Sequence, residues 1–295
     1  MPCIGNVSVS ITCVDCKSFG YSDLRSIVIF ILNVFDKPED QREFTRFGLA
    51  RKRTFKNDIF QTIIMVQEEK KNIGHLFDGI AVTYDKLNHL LSLNIDKSWR
   101  KKTIAMLSPC GRLLDVAIGT ADLTLEILRR EKAHHVDGID LSQEMMRIGE
   151  EKVRAEGLSD KVSFTLGSAL QMPYADNTYD ALTCAYGVRN FSDLDKGLKE
   201  FYRVMKPGAQ LLILEFSYPT NPLIRWGYDL FFSHILPLVG RLVSKDKSAY
   251  TYLNRSVKEF IWGEQMIERI ERAGFHDAAF RPLTFGITTI YSARR

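Results

Sequence analysis

Acidic side chains surround a glycine turn near the middle of the chain. Asp115 lies in a short apolar run, Gly119 lies in the turn that follows, and Asp122 comes just after the turn. Phosphate groups are bound by bare backbone amides in turns with several glycines, whereas this turn has one glycine and two nearby carboxylates. Carboxylates attract cations, and a glycine lets the backbone approach a ligand closely. The turn therefore favours a positively charged ligand that has no phosphate.

A further acid, Asp140, ends the next apolar run along the chain. A carboxylate at this place in a nucleotide-binding sheet accepts both hydroxyl groups of a ribose. S-adenosylmethionine has a ribose, an ammonium group and a sulfonium but no phosphate, so it fits this set of acids. Taken singly, Asp115 and Asp140 are equally suited to cap the helices that follow them. The ordered set predicts an S-adenosylmethionine site formed by Asp115, Gly119, Thr120, Asp122, Asp140, Ser168 and Ala169.

The elements that must position these residues alternate between strand-like and helix-like patterns. The apolar runs that predict strands are 113–117, 135–139, 162–166, 179–185, 209–216, 277–282 and 288–293. Helical spacing is found at 71–107, 123–130, 143–155, 195–205 and 263–273. Alternation of this kind predicts an α/β, Rossmann-like fold with a mostly parallel seven-stranded sheet and helices on both faces. The last two strands are joined by a short turn, so we expect them to pair antiparallel at one edge.

Composition places the chain among ordinary globular proteins. It has 295 residues, of which 45% are hydrophobic and 26% charged, and its formal net charge is +4. That charge is too small for a nucleic-acid-binding protein, so we expect no nucleic-acid partner. Its five cysteines are too few for a disulfide framework. The apolar stretch Ile27–Phe35 is too short for a membrane helix and lacks the flanks of a signal peptide, so we expect a cytoplasmic protein.

The first 64 residues show no clear hydrophobic period, and we assign them no fold. Met65 begins an acidic-then-basic run that is typical of a helix start. We therefore predict a self-sufficient domain over residues 65–295 and interpret residues 1–64 as an upstream extension that the native protein lacks. An intact-mass measurement showing that the protein from its native source begins near Met1 would refute this hypothesis. Cys13 and Cys16 have the spacing of half a zinc site but no second ligand pair nearby, so we expect no metal.

Three further stretches resemble the UbiE/MenG family of quinone-biosynthesis C-methyltransferases. They are 84–92 with Trp99, 185–191, and 203–209 with 214–217. The resemblance extends from about Lys71 to the C-terminus. It implies a class I methyltransferase fold and an enzyme that uses S-adenosylmethionine without a metal.

Four positions depart from the family pattern. The family often has His at Asp96, usually Gly at Ala121, often Asp or Asn at Ser168, and commonly Gly at Ala209. Ala121 permits only a modest change in the turn, and Ser168, expected beside the adenine, keeps a hydroxyl that donates and accepts hydrogen bonds. We therefore expect cofactor binding to survive, with Ser168 as its least secure contact.

The resemblance implies that the acceptor is a ring carbon of a prenylated quinol. The expected reaction methylates demethylmenaquinol to menaquinol in menaquinone biosynthesis. The alternative substrate is 2-methoxy-6-polyprenyl-1,4-benzoquinol in ubiquinone biosynthesis, and some family members act on both. Asp96 replaces the His that is common in the benzoquinol branch, which favours the first reaction. Two other classes are a dehydrogenase, disfavoured by the missing glycines, and a catalytically silent partner in a quinone-biosynthesis complex.

Methylation of a ring carbon needs a group that stabilises the deprotonated ring hydroxyl and a group that accepts or relays its proton. By resemblance, the catalytic residues are Tyr84, Arg189 and Asn190. Arg189 would stabilise the oxyanion as a permanent cation, and Asn190 would orient the ring oxygen or a water. The alternative role for Arg189 is an ion pair that fixes the end of a strand. His89 and His234 are weaker candidates for the base.

Residues 217–260 are expected to form a lid over the substrate. Within them, 222–240 has an amphipathic, aromatic-rich pattern that suits a membrane interface or a channel for the prenyl tail. The same pattern suits a helix packed on the core or a homodimer face, and these alternatives stay open. In the first case the substrate is drawn from the membrane by a peripheral protein on the inner face of the cell membrane.

Overall fold

The computed structural model describes residues 73–231 and 248–295. Our predictions for residues 1–64, for His234 and for the middle of the lid segment lie outside these residues. Within the described part of the chain, no helix is long and apolar enough to cross a membrane.

A seven-stranded sheet forms the centre of the structure, with the strand order β3-β2-β1-β4-β5-β7-β6. The strands are β1 (Cys110–Val116), β2 (Ala133–Asp140), β3 (Val162–Leu166), β4 (Tyr179–Ala185), β5 (Met205–Phe216), β6 (His276–Leu283) and β7 (Thr288–Arg294). Strands β1 to β5 pair in parallel. Strand β7 pairs antiparallel with both β5 and β6, which confirms the predicted antiparallel pairing at this edge. Strand β6 is the outermost strand there.

Helices occupy four of the six connections between the strands, as their sequence spacing predicts. The described helices are α1 (Ile73–Leu91), α2 (Ile95–Ala105), α3 (Asp122–Arg129), α4 (Gln143–Ala155), α5 (Leu194–Val204), α6 (Pro222–Leu230), α7 (Ser248–Glu259) and α8 (Glu264–Arg272). The helical pattern at 71–107 forms two helices because Leu93 and Asn94 adopt left-handed backbone angles, with φ of 51° and 61°. Such angles are incompatible with a continuous right-handed helix.

Both faces of the sheet are buried. Leu113 and Leu114 are neighbours in β1, each is 0% exposed, and they belong to two different apolar clusters. Successive strand residues point to opposite faces, so each cluster is the core on one face. Side chains from α5 and α8 pack in one core, and side chains from α2, α3 and α4 pack in the other. The predicted covering of both faces by helices is confirmed.

Hydrogen bonds hold helix α1 over the carboxyl ends of the first two strands. Asp78 accepts a hydrogen bond of 2.6 Å from the Ser142 hydroxyl after β2, and Asp85 accepts one of 2.7 Å from the Thr120 hydroxyl after β1. A Cβ atom at Gly74 would lie 2.8 Å from the Leu141 carbonyl oxygen, so the close approach of the helix needs glycine at that position. These contacts make α1 a cap over the strand ends where the predicted site lies.

Candidate functional site

The first cavity, of about 290 Å³, lies at the carboxyl ends of β1 and β2, and α1 contributes Ile73, Gly74 and Phe77 to its wall. This is the place where ligands bind in open parallel sheets. All seven residues predicted to contact the cofactor line this cavity: Asp115, Gly119, Thr120, Asp122, Asp140, Ser168 and Ala169. The structure therefore brings the predicted set together, and their role in binding stays a prediction.

The turn between β1 and α3 has an unusual backbone. Gly119 has φ of 52°, and Ala121 has φ of 62° although it carries a Cβ. This left-handed region favours glycine, which gives a physical reason for the glycine that the family usually has at Ala121. The buried methyl group of Ala121 faces Gly149 of α4, where a Cβ would lie only 3.3 Å from it and 3.0 Å from the Gly119 carbonyl oxygen. Gly149 thus makes room for the turn.

Asp115 is buried beneath the first cavity. Its carboxylate accepts hydrogen bonds of 2.6 Å from the Thr124 hydroxyl and 2.7 Å from the Thr183 hydroxyl. Burial raises the pKa of Asp115 to about 6, although the two hydroxyl donors oppose the shift. The residue that caps α3 is Ala121, so Asp115 does not serve as that cap.

Asp140 connects the end of β2 to the turn. One of its oxygens accepts the Gly119 backbone N–H at 2.8 Å, and the other accepts the Ser142 backbone N–H at 2.9 Å. Burial raises the pKa of Asp140, against the effect of these amides. Each oxygen still has a lone pair for a ligand hydroxyl. Helix α4 is capped by the Ser142 hydroxyl, so Asp140 is free of that alternative role.

Asp122 is surrounded by basic side chains. It accepts a hydrogen bond of 2.6 Å from Lys152 and lies 3.5 Å from Arg100 and 3.8 Å from His89. Its charge is therefore balanced within the protein, which makes it a weaker attractor for a ligand ammonium than the sequence implies. Of the described residues that line the first cavity, Arg100 is the basic one, and it is paired with acids. Such a lining suits a cationic ligand and offers no free cation to a phosphate.

The second cavity, of about 470 Å³, has mainly apolar and aromatic walls. Residues of α1, α2, α6, α7, the end of β5 and the turn between β6 and β7 form these walls. The two cavities share four wall residues: Phe77, Tyr84, Arg100 and Tyr186. They therefore meet at one place, where a group held in one cavity can reach a group held in the other.

Arg189 is a buried cation on the wall of the second cavity. It donates a hydrogen bond of 2.8 Å from its side chain to Glu215, so the ion-pair alternative is observed. Burial opposes the charge of Arg189, but Glu215 raises its pKa above the ordinary value. Within the described residues, the buried Nε atom of Arg189 has no hydrogen-bond partner. The ion pair therefore holds the guanidinium in place on the wall of the second cavity.

Asn190 and Tyr84 flank the junction of the cavities. The Tyr252 hydroxyl donates to Asn190 Oδ1 at 3.0 Å, and the Asn190 amide nitrogen donates to the Tyr186 carbonyl oxygen at 3.4 Å, which leaves its second N–H for a ligand. Tyr84 lines both cavities, and burial raises its pKa while the charge of Arg189 partly opposes the shift. The three predicted catalytic residues are therefore close to the same junction.

Tyr186 shapes this junction through its backbone. It has φ of 57°, a costly conformation for an aromatic residue. Its carbonyl oxygen accepts hydrogen bonds from the side chains of Arg189 and Asn190, and its ring lies 4.6 Å from the ring of Phe216. The strained turn thereby positions both predicted catalytic side chains.

Comparison with known proteins identifies the family. Residues 64–295 match the ubiE/COQ5 methyltransferase family. The chain belongs to this family. It is 44% identical over 230 residues to a demethylmenaquinone methyltransferase of Bacteroides fragilis, which covers 77% of this chain and 94% of that protein. It is 41% identical over 231 residues to the ubiquinone/menaquinone biosynthesis C-methyltransferase UbiE of Geotalea daltonii, with 77% of this chain and 98% of that protein covered.

Solved structures support the fold of this ubiE/COQ5 family member. The cyclase SpnF has a TM-score of 0.57 at 19% identity and covers 77% of this chain and 96% of its own. A SAM-dependent methyltransferase of Thermotoga maritima, described as a possible histamine N-methyltransferase, has a TM-score of 0.54 at 16% identity and covers 75% and 98%. The predicted class I methyltransferase fold and the predicted methyltransferase family are confirmed.

Sequence reasoning missed three residues that organise the site of this ubiE/COQ5 protein. Glu215 holds Arg189, Arg100 lies on the walls of both cavities, and Asp85 connects α1 to Thr120. A signal for Glu215 was present, because an acid inside the apolar strand β5 needs a buried partner. Arg100 pairs locally with Asp96, but its second partner Asp122 and the partner of Asp85, Thr120, come from distant parts of the chain, which local patterns do not specify.

Proposed function

We propose that this ubiE/COQ5 family member is a demethylmenaquinone methyltransferase, which transfers a methyl group from S-adenosylmethionine to the ring of demethylmenaquinol and gives menaquinol. The observation that carries the proposal is the junction of an acidic cavity with an apolar cavity beside the buried cation Arg189. The relatives named demethylmenaquinone methyltransferase, at up to 44% identity, support the naphthoquinol as acceptor.

The first cavity is the proposed S-adenosylmethionine site. Asp140 would accept the ribose hydroxyls, and Ser168 and Ala169 would lie beside the adenine. Asp115 contributes negative charge on the side that would face the ammonium group, and Asp122, whose charge Lys152 balances, contributes less. When bound, S-adenosylmethionine supplies an electrophilic methyl group on its sulfonium. The fit rests on the acids that line the cavity and on the pairing of its one described basic residue, Arg100.

The second cavity is the proposed site for the quinol ring and the start of its prenyl tail. Apolar walls exclude water, which strengthens the attraction between Arg189 and a ring oxyanion. Asn190, which lines the first cavity and is oriented by Tyr252, would hold at the junction the ring oxygen or a water that relays the proton. Tyr84 would position the ring at the junction, because it lines both cavities. Deprotonation of the hydroxyl would raise the electron density at the neighbouring ring carbon, which would form a bond to the methyl carbon while the methyl–sulfur bond breaks and S-adenosylhomocysteine leaves. Loss of the proton from the methylated ring carbon would then restore the aromatic quinol.

Exposed apolar side chains surround the second cavity and support a membrane-docking surface. Leu93, Leu223 and Phe285 line the cavity and are 77%, 74% and 76% exposed. Trp226, one turn along α6 from Leu223, is 66% exposed. Large exposed apolar side chains are costly in water, and a substrate with a prenyl tail has to enter from a bilayer. We propose that this surface docks on the membrane and delivers the tail directly into the second cavity.

The docking surface is tested by co-sedimentation with phosphatidylglycerol-containing vesicles. The double variant Leu223→Gln/Trp226→Gln should lose most of its vesicle binding, whereas Leu166→Gln, which removes an exposed apolar residue that does not line the cavity, should bind as the wild type does. Equal binding by all three proteins would refute the membrane surface. A change in oligomeric state of the double variant, measured by gel filtration, would favour the homodimer alternative.

The reaction is tested by supplying methyl-labelled S-adenosylmethionine with reduced demethylmenaquinone and with the reduced methoxy-benzoquinone. We expect label in the naphthoquinol at a kcat/KM well above that for the benzoquinol. Comparable transfer to both would make the enzyme dual, as the relatives named UbiE allow. Transfer to neither ring by a protein that binds S-adenosylmethionine would refute the proposed function.

A further inference from the structure

A second group of polar side chains lies on the wall of the second cavity, at the turn between α1 and α2 and in the first part of α2. Asp96 is only 3% exposed. It accepts a hydrogen bond of 2.6 Å from the Ser92 hydroxyl, lies 2.8 Å from His89 Nδ1 and forms an ion pair with Arg100. Ser92, Asp96 and Arg100 all line the second cavity.

This group is built to remain charged. Burial disfavours the ionised form of Asp96, but the donors Ser92 and Arg100 outweigh it and hold its pKa below the ordinary value. A carboxylate of this kind is a poor proton acceptor and a good hydrogen-bond acceptor. Oδ1 of Asp96 is hydrogen-bonded by Ser92, whereas Oδ2 receives both Arg100 and His89. Oδ1 therefore keeps a lone pair for a further donor.

The donor that Asp96 Oδ1 could bind is indicated by the position of Asp96 relative to the predicted catalytic residues. Tyr84 lines the second cavity together with Arg189 and Asp96. A ring seated beside Tyr84 can therefore place one polar group toward Arg189 and another toward Asp96. A quinol is a 1,4-diol, and in an apolar cavity both hydroxyls lose water and each needs a partner.

We propose that Asp96 and Ser92, held in place by Arg100, bind the second hydroxyl of the diol, the one remote from the ring carbon that is methylated. This inference rests on the proposed function and adds a binding subsite to it. The first hydroxyl lies at Arg189 and Asn190, and the second donates to Asp96. The two contacts together fix which ring carbon faces the first cavity. A ring without the second hydroxyl leaves a buried carboxylate with an unfilled lone pair, so it is a poor substrate.

The test compares two substrates that differ in that hydroxyl alone: the prenylated naphthalene-1,4-diol and the matching naphthol without the hydroxyl remote from the acceptor carbon. We expect the wild type to prefer the diol in kcat/KM by roughly 10-fold to 100-fold. In Asp96→Asn the ratio of kcat/KM for the diol to kcat/KM for the naphthol should fall by roughly 10-fold, mainly through slower reaction of the diol. Asp180→Asn removes a carboxylate that pairs with Lys206 and lines neither cavity, and it should keep the wild-type ratio.

Ser92→Ala provides a second test that keeps the ion pair between Asp96 and Arg100. It should lower the ratio by roughly 3-fold, and it decides the question if Asp96→Asn does not fold. A ratio unchanged in the folded variants, or equal losses with both substrates, would overturn the subsite while the proposed function stands. A wild type that methylates neither substrate would overturn both. Circular dichroism and the Tm of each variant establish folding.

Discussion

The two cavities satisfy their polar groups in different ways. In the first cavity, Asp115 and Asp140 each receive two hydrogen bonds from the protein, and Asp122 receives one from Lys152. In the second cavity the walls are mainly apolar, and Arg189 keeps one buried donor without a partner in the described structure. The first cavity is therefore a preorganised set of acids, whereas the second is mainly apolar and offers its substrate few polar contacts. Substitutions should accordingly separate binding of the cofactor from chemistry on the ring.

Arg189→Met should have the largest effect, because it should slow turnover while leaving cofactor binding nearly unchanged. We expect a fall in kcat of about 100-fold to 1000-fold, because the variant loses the cation that stabilises the ring oxyanion. The Kd for S-adenosylmethionine, measured by calorimetry, should change by less than about 3-fold. A large increase in this Kd with kcat preserved would contradict the assignment of Arg189 to the ring.

The ion pair requires its own control. Arg189→Met leaves Glu215 buried without its cation, which costs about 3 to 5 kcal/mol of stability. The double variant Arg189→Met/Glu215→Gln removes both charges and should recover much of the Tm without recovering turnover. Recovery of turnover along with the Tm would show that Arg189 is purely structural.

Asp140→Asn should weaken cofactor binding in the first cavity. The amide presents a donor where the carboxylate accepts the Gly119 and Ser142 backbone N–H groups, so the turn and the ribose contact both weaken. We expect the Kd for S-adenosylmethionine to rise by about 10-fold to 100-fold. At saturating cofactor, kcat should be less affected than in Arg189→Met. An unchanged Kd would remove Asp140 from the binding site.

The pH dependence of cofactor binding should follow Asp115. Because its pKa is raised to about 6, Asp115 loses its charge as the pH falls below that value, and the affinity for the cation should fall with it. The Kd measured from pH 5 to pH 8 should show this change in the wild type and a smaller one in Asp115→Asn. Asp140, whose pKa is also raised, accounts for the remainder. Equal profiles for the two proteins would contradict the role of Asp115.

The raised pKa of Asp115 also makes the free energy of unfolding depend on pH, in the direction opposite to that of cofactor binding. The folded protein holds the Asp115 proton more tightly than the unfolded chain does, so this contribution to the free energy of unfolding decreases as the pH rises from about 4 to about 6. Urea denaturation across this range should therefore show a weaker decrease in Asp115→Asn.

Tyr252→Phe should have the smallest effect. It removes the hydroxyl that orients Asn190 and leaves both cavities otherwise intact. We expect kcat to fall by about 3-fold to 10-fold, with the Kd for S-adenosylmethionine unchanged. A loss as large as that of Arg189→Met would show that Tyr252 itself takes part in the proton transfer.

The sequence predicts the sheet and the acids of the first cavity well, because both follow from local patterns. The limits of β3 and β4 agree with the predicted 162–166 and 179–185, and the acids fall at strand ends where a parallel sheet collects them. The pairing of side chains is less predictable. Asp122 is balanced by Lys152 from α4, and Arg189 is held by Glu215 from β5. Such pairs depend on how distant segments pack, which the local hydrophobic pattern of the sequence does not show.

The most direct test of the central claim is a crystal structure with S-adenosylhomocysteine and an unreactive demethylmenaquinol analogue. We expect the cofactor in the first cavity, with its ribose on Asp140. We expect the ring in the second cavity beside Tyr84 and Tyr186, with one ring oxygen within hydrogen-bond distance of the Arg189 guanidinium and the acceptor carbon facing the sulfur. A ring bound elsewhere, or a ring whose oxygens both face away from Arg189, would contradict it.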